Sequence, residues 1–214
     1  MAAPASSSLV NGHSGPLIDA SSSLAWRSQT RKELVQRRLA AEPSERAKWS
    51  TAIDQHLLRM WPDPPGQIIA FCWPYKAEHD ARTVIERWIS KGATVAMPVV
   101  VAPKSPLVFR RWHAGAVMEA GALGIPFPAD SEEIRPDTIL LPANGFDAPG
   151  FRLGYGAGYF DRTIASLRPD VRVIGIAYEI GRLSSIQPQL HDEAMDVVVT
   201  EAGVHSCYGR ATAT

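Results

Sequence analysis

Three glycines alternate at Gly154, Gly156 and Gly158, directly ahead of a segment with helical periodicity. Glycine tolerates positive φ and lets backbone approach a ligand closely, and the first amides of a following helix carry partial positive charge. That combination suits a phosphate group, although an alternating-glycine triplet alone serves a structural turn equally well. The loop does not match the common nucleotide fingerprints. A Walker loop ends in Gly-Lys-Ser/Thr, whereas this one runs into Tyr159 and Phe160. A dinucleotide loop needs G-x-G-x-x-G in an early βα unit and an acidic residue about 20 positions on, and Asp170 comes too soon. Arg152 precedes the glycines, and Arg27 and Arg31 lie four apart, on one helical face. His56, His79, His113, His191 and His205 show no ligand spacing, and no Ser-His-Asp or Cys-His arrangement stands out. Any anionic ligand must therefore be met by local basic residues and backbone amides of this kind.

Positioning these groups requires a scaffold of alternating elements. An Arg- and Lys-rich helix is expected from Leu24 to about Ala41, ended by Pro43. A second follows, with Ser44 as N-cap, Glu45 in the first turn and Trp49, Ile53, Leu57 and Met60 at helical spacing, stopping at Pro62 to Gly66. Ile68–Trp73 reads as a strand buried on both faces. Asp80 to Lys91 reads as a helix presenting Val84, Ile85, Trp88 and Ile89, with Gly92 as its stop. Strands are expected at Thr94–Pro98, Leu107–Arg111, Thr138–Leu141, Val171–Ala177 and Val197–Thr200, and a helix from about Gly158 to Leu167. Such alternation implies a mostly parallel sheet covered by helices. The link from Leu141 to Gly158 far exceeds the usual strand-to-helix turn of roughly two to six residues, and such loops are commonly functional.

The 214 residues suit one domain, and 45% hydrophobic content allows a sizeable core. Zero formal net charge gives no global argument for nucleic acid or an anionic membrane. Val95 to Val101, the longest apolar run, is broken by Pro98 and too short to span a bilayer. Cys72 and Cys207 form no metal-type spacing, and Cys72 sits in an apolar run, as expected of a buried free thiol. Residues 1–24 have neither a basic n-region nor any Arg, and read as a disordered tail; 25–206 form the domain and 207–214 a C-terminal tail. The expected location is cytoplasmic.

The context of the glycines is more specific than the triplet. Leu141–Pro142, Phe146–Asp147, Gly150 and the run from Arg152 to Arg162 (RLGYGAGYFDR) resemble the P-x-x-x-F-D-x-x-G-x-R-L-G-x-G-x-G-Y-Y-D signature of the 5-formyltetrahydrofolate cyclo-ligase family. Outlying similarities extend from about Arg27 to Thr200: the basic first helix, Glu78 ahead of Lys91–Gly92, Gly124–Ile125 before a proline-bearing turn, and His191–Asp192 before Met195–Asp196.

The resemblance implies a three-layer α/β/α domain of the NagB/RpiA/CoA-transferase-like kind, a monomer, with ATP, Mg²⁺ and a folate as its ligands. It implies ATP contacts from Arg27, Arg31, Arg152, Leu153, Gly154, Tyr155, Gly156, Ala157, Gly158, Tyr159 and Phe160. It implies folate contacts from Trp73, Glu78 and the stretch Tyr155, Gly156, Ala157, Gly158 and Tyr159, with Asp161 and Asp192 at the metal. Carboxylates suit the hard Mg²⁺ ion, and Asp196 is a nearby rival. Each assignment has a plainer counterpart. Arg27 and Arg31 read alone as a solvated face, Arg152 and Glu78 as loop charges, Asp161 as a helix-dipole partner and Asp192 as a turn or cap. Trp73 reads as a buried strand-end indole, and Trp112 as packing. The chain departs from the family pattern at Arg27, where a Lys is usual, and at Phe127, Ala157 and Phe160. The activity implied is Mg-ATP-dependent conversion of 5-formyltetrahydrofolate to 5,10-methenyltetrahydrofolate. Alternatives are another ATP- or dinucleotide-dependent enzyme, or a folate-binding or partner-binding module without turnover.

Overall fold

A computed structural model describes residues 20–209. Helix α1 (Ala20–Ala40) begins before Leu24, so residues 20–24 belong to the helix and not to the expected tail; residues 1–19 and 210–214 lie outside the described residues. The C-terminal stretch is tied down as far as Gly209, whose amide bonds the Pro149 carbonyl, while the Cys207 amide bonds that of Asp196. Pro43 opens helix α2 (Pro43–Met60) at its first position, with Glu42 as N-cap, instead of Ser44. A proline loses nothing there, because the missing N–H would be unbonded and its φ already suits the helix.

Strand β1 (Ile68–Phe71) is followed by α3 (Arg82–Ser90), β2 (Thr94–Val99) and β3 (Val108–Trp112). A small hairpin pairs β4 (Met118–Ala120) with β5 (Pro126–Pro128). Then come β6 (Thr138–Pro142), a second small pair of β7 (Gly145–Phe146) and β8 (Arg152–Leu153), helix α4 (Tyr159–Leu167), β9 (Arg172–Ile176), β10 (Val197–Thr200) and β11 (Gly203–Ser206).

The seven-stranded sheet has the order β11-β10-β9-β6-β1-β2-β3. Its inner pairings are parallel, as expected, and only the edge strands β3 and β11 run antiparallel. Side chains alternate between two cores. Ile69, Phe71, Val95, Met97, Leu140, Ile174 and Val199 meet α2 and α3, while Ala70, Ala96, Ile139, Leu141, Val173 and Val198 meet Ile164 of α4. The resulting three layers leave α1 packed on the loops, where Leu34 buries against Leu153 and Ile186.

The chain leaves β1 towards β2 on one side and returns beside β1 as β6 on the other. Strand order therefore reverses between β1 and β6, and open α/β sheets bind ligands outside the carboxyl ends of strands at such a reversal.

Candidate active site

The segment after β1 carries Trp73 and Glu78, and the one after β6 carries the glycine loop, so both flank the reversal. Helix α1 brings a third set. Arg27, Arg31, Leu34 and Arg38 recur at i, i+4, i+7 and i+11, one face of a helix, and Leu34 anchors that face.

Arg27 is buried and ion-paired to Asp192 through two bonds of 2.5 and 3.0 Å, and also donates to the Gln187 carbonyl at 3.1 Å. The Gln189 amide donates to the same carboxylate at 2.7 Å. Burial pushes the Asp192 pKa up, but the bonds from Arg27 and Gln189 outweigh it and the net shift is downward.

Arg31 is different: its Nε is buried without a hydrogen-bond partner among the described residues. Burial first, then the charge of Arg27, lower its pKa. Its guanidinium lies against the glycine loop, where a Cβ on Gly156 would meet it at 3.4 Å. Gly156 has φ +93°, and Gly158 has φ +67° as the N-cap of α4, whose end carries no side-chain cap bond. Those amides stay available to an anion. Arg162 closes the loop by donating to the Ala157 carbonyl at 2.6 Å.

Arg152 is buried and donates to the Glu193 carbonyl at 2.8 Å and to Asp161 Oδ1 at 3.0 Å. Burial lowers its pKa, with Asp161 opposing. Asp161 Oδ1 also accepts the Glu193 amide at 3.2 Å, which leaves Oδ2 outside these bonds. Leu153 is fully buried and Phe160 packs on the core beside Ile164, so the Leu153 side chain is closed to a ligand. Tyr159 is half-buried and Ala157 exposed.

At the other end of the site, Tyr155 donates to Glu78 Oε1 at 2.8 Å, and the Tyr75 amide donates to Oε2 at 3.0 Å. Arg38 donates to the Tyr155 hydroxyl at 3.1 Å and to the Lys76 carbonyl at 2.9 Å, and lies 3.9 Å from Glu78. Burial raises the Glu78 pKa, against the pull of Arg38 and the two hydrogen bonds. The turn before it is strained: Lys76 and Ala77 have φ of +48° and +58°. Left-handed backbone costs a non-glycine residue about 1–2 kcal/mol.

Trp73 is half-buried, with the Arg82 guanidinium 4.4 Å from its ring centroid. Trp112 is core packing, edge-on to Phe71. Asp196 is tied to Arg168 at 2.9 Å and to the Val173 amide at 2.7 Å. His79 Nε2 lies 3.1 Å from Asp54 Oδ1 but off hydrogen-bonding angle. Among the described residues no three His, Cys, Asp or Glu side chains cluster as a metal site. Mg²⁺ needs only one or two carboxylates beside phosphate and water, and Asp161 Oδ2, unbonded among the described residues, fits that demand better than Asp192, whose two oxygens already accept from Arg27 and Gln189.

Sequence reasoning missed Arg38, whose i+7 spacing from Arg31 was the available signal. It also missed Asn144, buried with both amide atoms unbonded among the described residues.

A family model described as the 5-formyltetrahydrofolate cyclo-ligase family matches residues 23–201. This chain belongs to that family. A relative from Mycolicibacterium smegmatis named 5-formyltetrahydrofolate cyclo-ligase is 28% identical over 186 residues, 81% of this chain and 93% of the relative. One of the same name from Escherichia coli K12 is 27% identical over 180 residues, covering 79% and 97%. The NMR structure of Aquifex aeolicus 5,10-methenyltetrahydrofolate synthetase superposes with a TM-score of 0.72 at 26% identity, covering 88% of this chain and 95% of its own. The Mycoplasma pneumoniae 5,10-methenyltetrahydrofolate synthetase shares the fold, with a TM-score of 0.68 at 23% identity over 82% and 98% of the two chains. The family's match takes in α1 from Ser23 onward, the Glu78 turn and the glycine loop together.

Proposed function

We propose that the chain catalyses the ATP-dependent cyclisation of 5-formyltetrahydrofolate to 5,10-methenyltetrahydrofolate, releasing ADP and phosphate. The observation that carries this reading is Arg31 against Gly156, its Nε buried and unbonded among the described residues, in a member of the cyclo-ligase family. Arg27, Arg31, Arg152 and the backbone from Leu153 to Phe160 hold the ATP phosphates. Trp73, Glu78 and the stretch from Tyr155 to Tyr159 hold the folate, with Glu78 accepting from the donor edge of the pteridine. Asp161 holds Mg²⁺, with Asp192 as its neighbour; the ion supplies charge neutralisation at the phosphates.

The formyl oxygen attacks the γ-phosphorus and the bond to ADP breaks. The neighbouring amine nitrogen then attacks the activated formyl carbon and loses its proton, and the carbon–oxygen bond breaks to release phosphate. Arg31 and the amides opening α4 neutralise the charge that develops during phosphoryl transfer, while the binding loops align the two substrates. We take the enzyme to be monomeric and cytoplasmic; among the described residues no helix is long and apolar enough to cross a membrane.

The test is absorbance detection of 5,10-methenyltetrahydrofolate from purified protein, 5-formyltetrahydrofolate and Mg-ATP. Product that requires both ATP and Mg²⁺ and is lost in Asp161→Ala is the expected result. A folded protein that binds ATP without forming product would sink the reading in favour of another ATP-dependent enzyme. Folate binding without ATP consumption would leave a binding module.

A further inference from the structure

We infer that Arg38 is a positioning residue for folate recognition: it holds the strained Lys76–Ala77 turn so that Glu78 presents its carboxylate to the site. The inference rests on the reading of Glu78 as the folate-recognising group. Arg38 touches all three segments that meet there. It belongs to α1, its Nε bonds the carbonyl of Lys76, and its Nη2 bonds the hydroxyl of Tyr155 in the glycine loop. Its guanidinium and the Glu78 carboxylate are both almost fully buried, with side-chain exposures of 5% and 4%.

Two consecutive non-glycine residues with positive φ persist only where their surroundings over-determine them. The bond from Arg38 fixes the carbonyl of the first, and the Tyr75–Glu78 contacts fix the exit from the turn. Arg38 also faces a charge problem. The groups around Glu78 are Arg38 from α1, Tyr155 from the glycine loop, the half-buried Cys72 just after β1, and Lys76 and His79 on its own segment. His79 is turned to Asp54 on α2. Of the cations, Arg38 is the one in ion-pair reach of Glu78 among the described residues, and burial otherwise favours the protonated acid. A protonated carboxyl presents a donor where the amine and amide N–H groups of a pteridine need an acceptor.

The experiment compares Arg38→Gln, Arg38→Lys and Glu78→Gln, with Lys76→Gly alone and combined with Arg38→Gln, by steady-state kinetics across pH. Arg38→Gln is expected to raise the folate KM about tenfold, the effect of losing a charge-assisted bond, with little change in the ATP KM. The acid limb of kcat/KM for folate should move to higher pH. Adding Lys76→Gly, which relaxes the turn, should recover part of the folate KM but leave the displaced pH limb. Arg38→Lys keeps the charge without the fork and should spare the pH limb while still raising the folate KM; it carries the test if Arg38→Gln does not fold. An unmoved pH limb without glycine rescue, or equal changes in both KM values, overturns the inference. If Glu78→Gln leaves the folate KM unchanged, the reading beneath it falls too; if Glu78→Gln raises it and the Arg38 variants do not, the Arg38 inference alone falls.

Discussion

Replacing Asp192 with Asn probes the pair that fastens α1 to the loop before β10. The Arg27 and Asp192 side chains are 6% and 5% exposed, and the carboxylate accepts from two guanidinium nitrogens and the Gln189 amide. Breaking a buried pair from one side costs roughly 3–5 kcal/mol, mostly because the remaining charge stays buried and uncompensated. Asn keeps one acceptor oxygen, so the lower value of about 3 kcal/mol applies. In a chain of this size each kcal/mol moves the melting temperature by about 2–4 °C, giving a drop of about 6–12 °C at neutral pH. The folded pKa of Asp192 lies below its unfolded value, so the pair's contribution is full above the unfolded carboxylate range and fades as pH falls through the folded value. Asp192→Asn should therefore flatten the acid side of the stability profile. Thermal melts without nucleotide or metal keep any ligand role out of the measurement. The double variant Arg27→Met/Asp192→Leu, which leaves no orphaned charge, should recover most of the loss. A melting temperature within about 2 °C of wild type for Asp192→Asn, or a double variant no better than the worse single, would refute the reasoning.

Gly156→Ala forces a side chain into left-handed backbone at φ +93° and sets its Cβ 3.4 Å from the Arg31 guanidinium, so the ATP KM should rise about tenfold; an unchanged value would detach Arg31 from phosphate binding. Asn144→Leu replaces a buried amide with neither atom bonded among the described residues, and such groups cost about 1–3 kcal/mol. Calorimetry should show a melting temperature at least about 2 °C higher, and a lower one would mean the amide is satisfied in the folded protein.

What the sequence discloses depends on how local the determining contacts are. The inner strands declare themselves because Val, Ile and Leu dominate them: β10 spans Val197–Thr200 as expected, and β6 runs one residue past the expected Thr138–Leu141, to Pro142. The pairs β4–β5 and β7–β8 are two or three residues per strand, too short to display any period, and were not anticipated. Helix α4 and the glycine loop were legible since their signal is contiguous. Arg38 was not: its i+7 spacing from Arg31 puts it on the same face, but its contacts lie with Lys76, Glu78 and Tyr155, 38 to 117 positions away. Asn144 gave no sign either, since burial without partners is a property of the packed loops and not of a residue type.

These contacts also explain how a helix so rich in arginine packs against the loops. Leu34 and Val35 are its buried apolar residues, and the cations Arg27 and Arg38 are buried with them, beside Ser23 and Thr30. Arg27 is neutralised by Asp192 and Arg38 by the Glu78–Tyr155 pair, each from a different loop, so α1 joins segments that the sheet alone leaves apart. Arg31, between them, has burial and the charge of Arg27 against it and an Nε unbonded among the described residues. A phosphate reaching Arg31 would relieve both penalties at once, and part of the binding energy would then appear as tighter docking of α1. The arrangement leaves Arg31, set against Gly156 of the glycine loop, as the α1 cation whose demand an anionic ligand can meet.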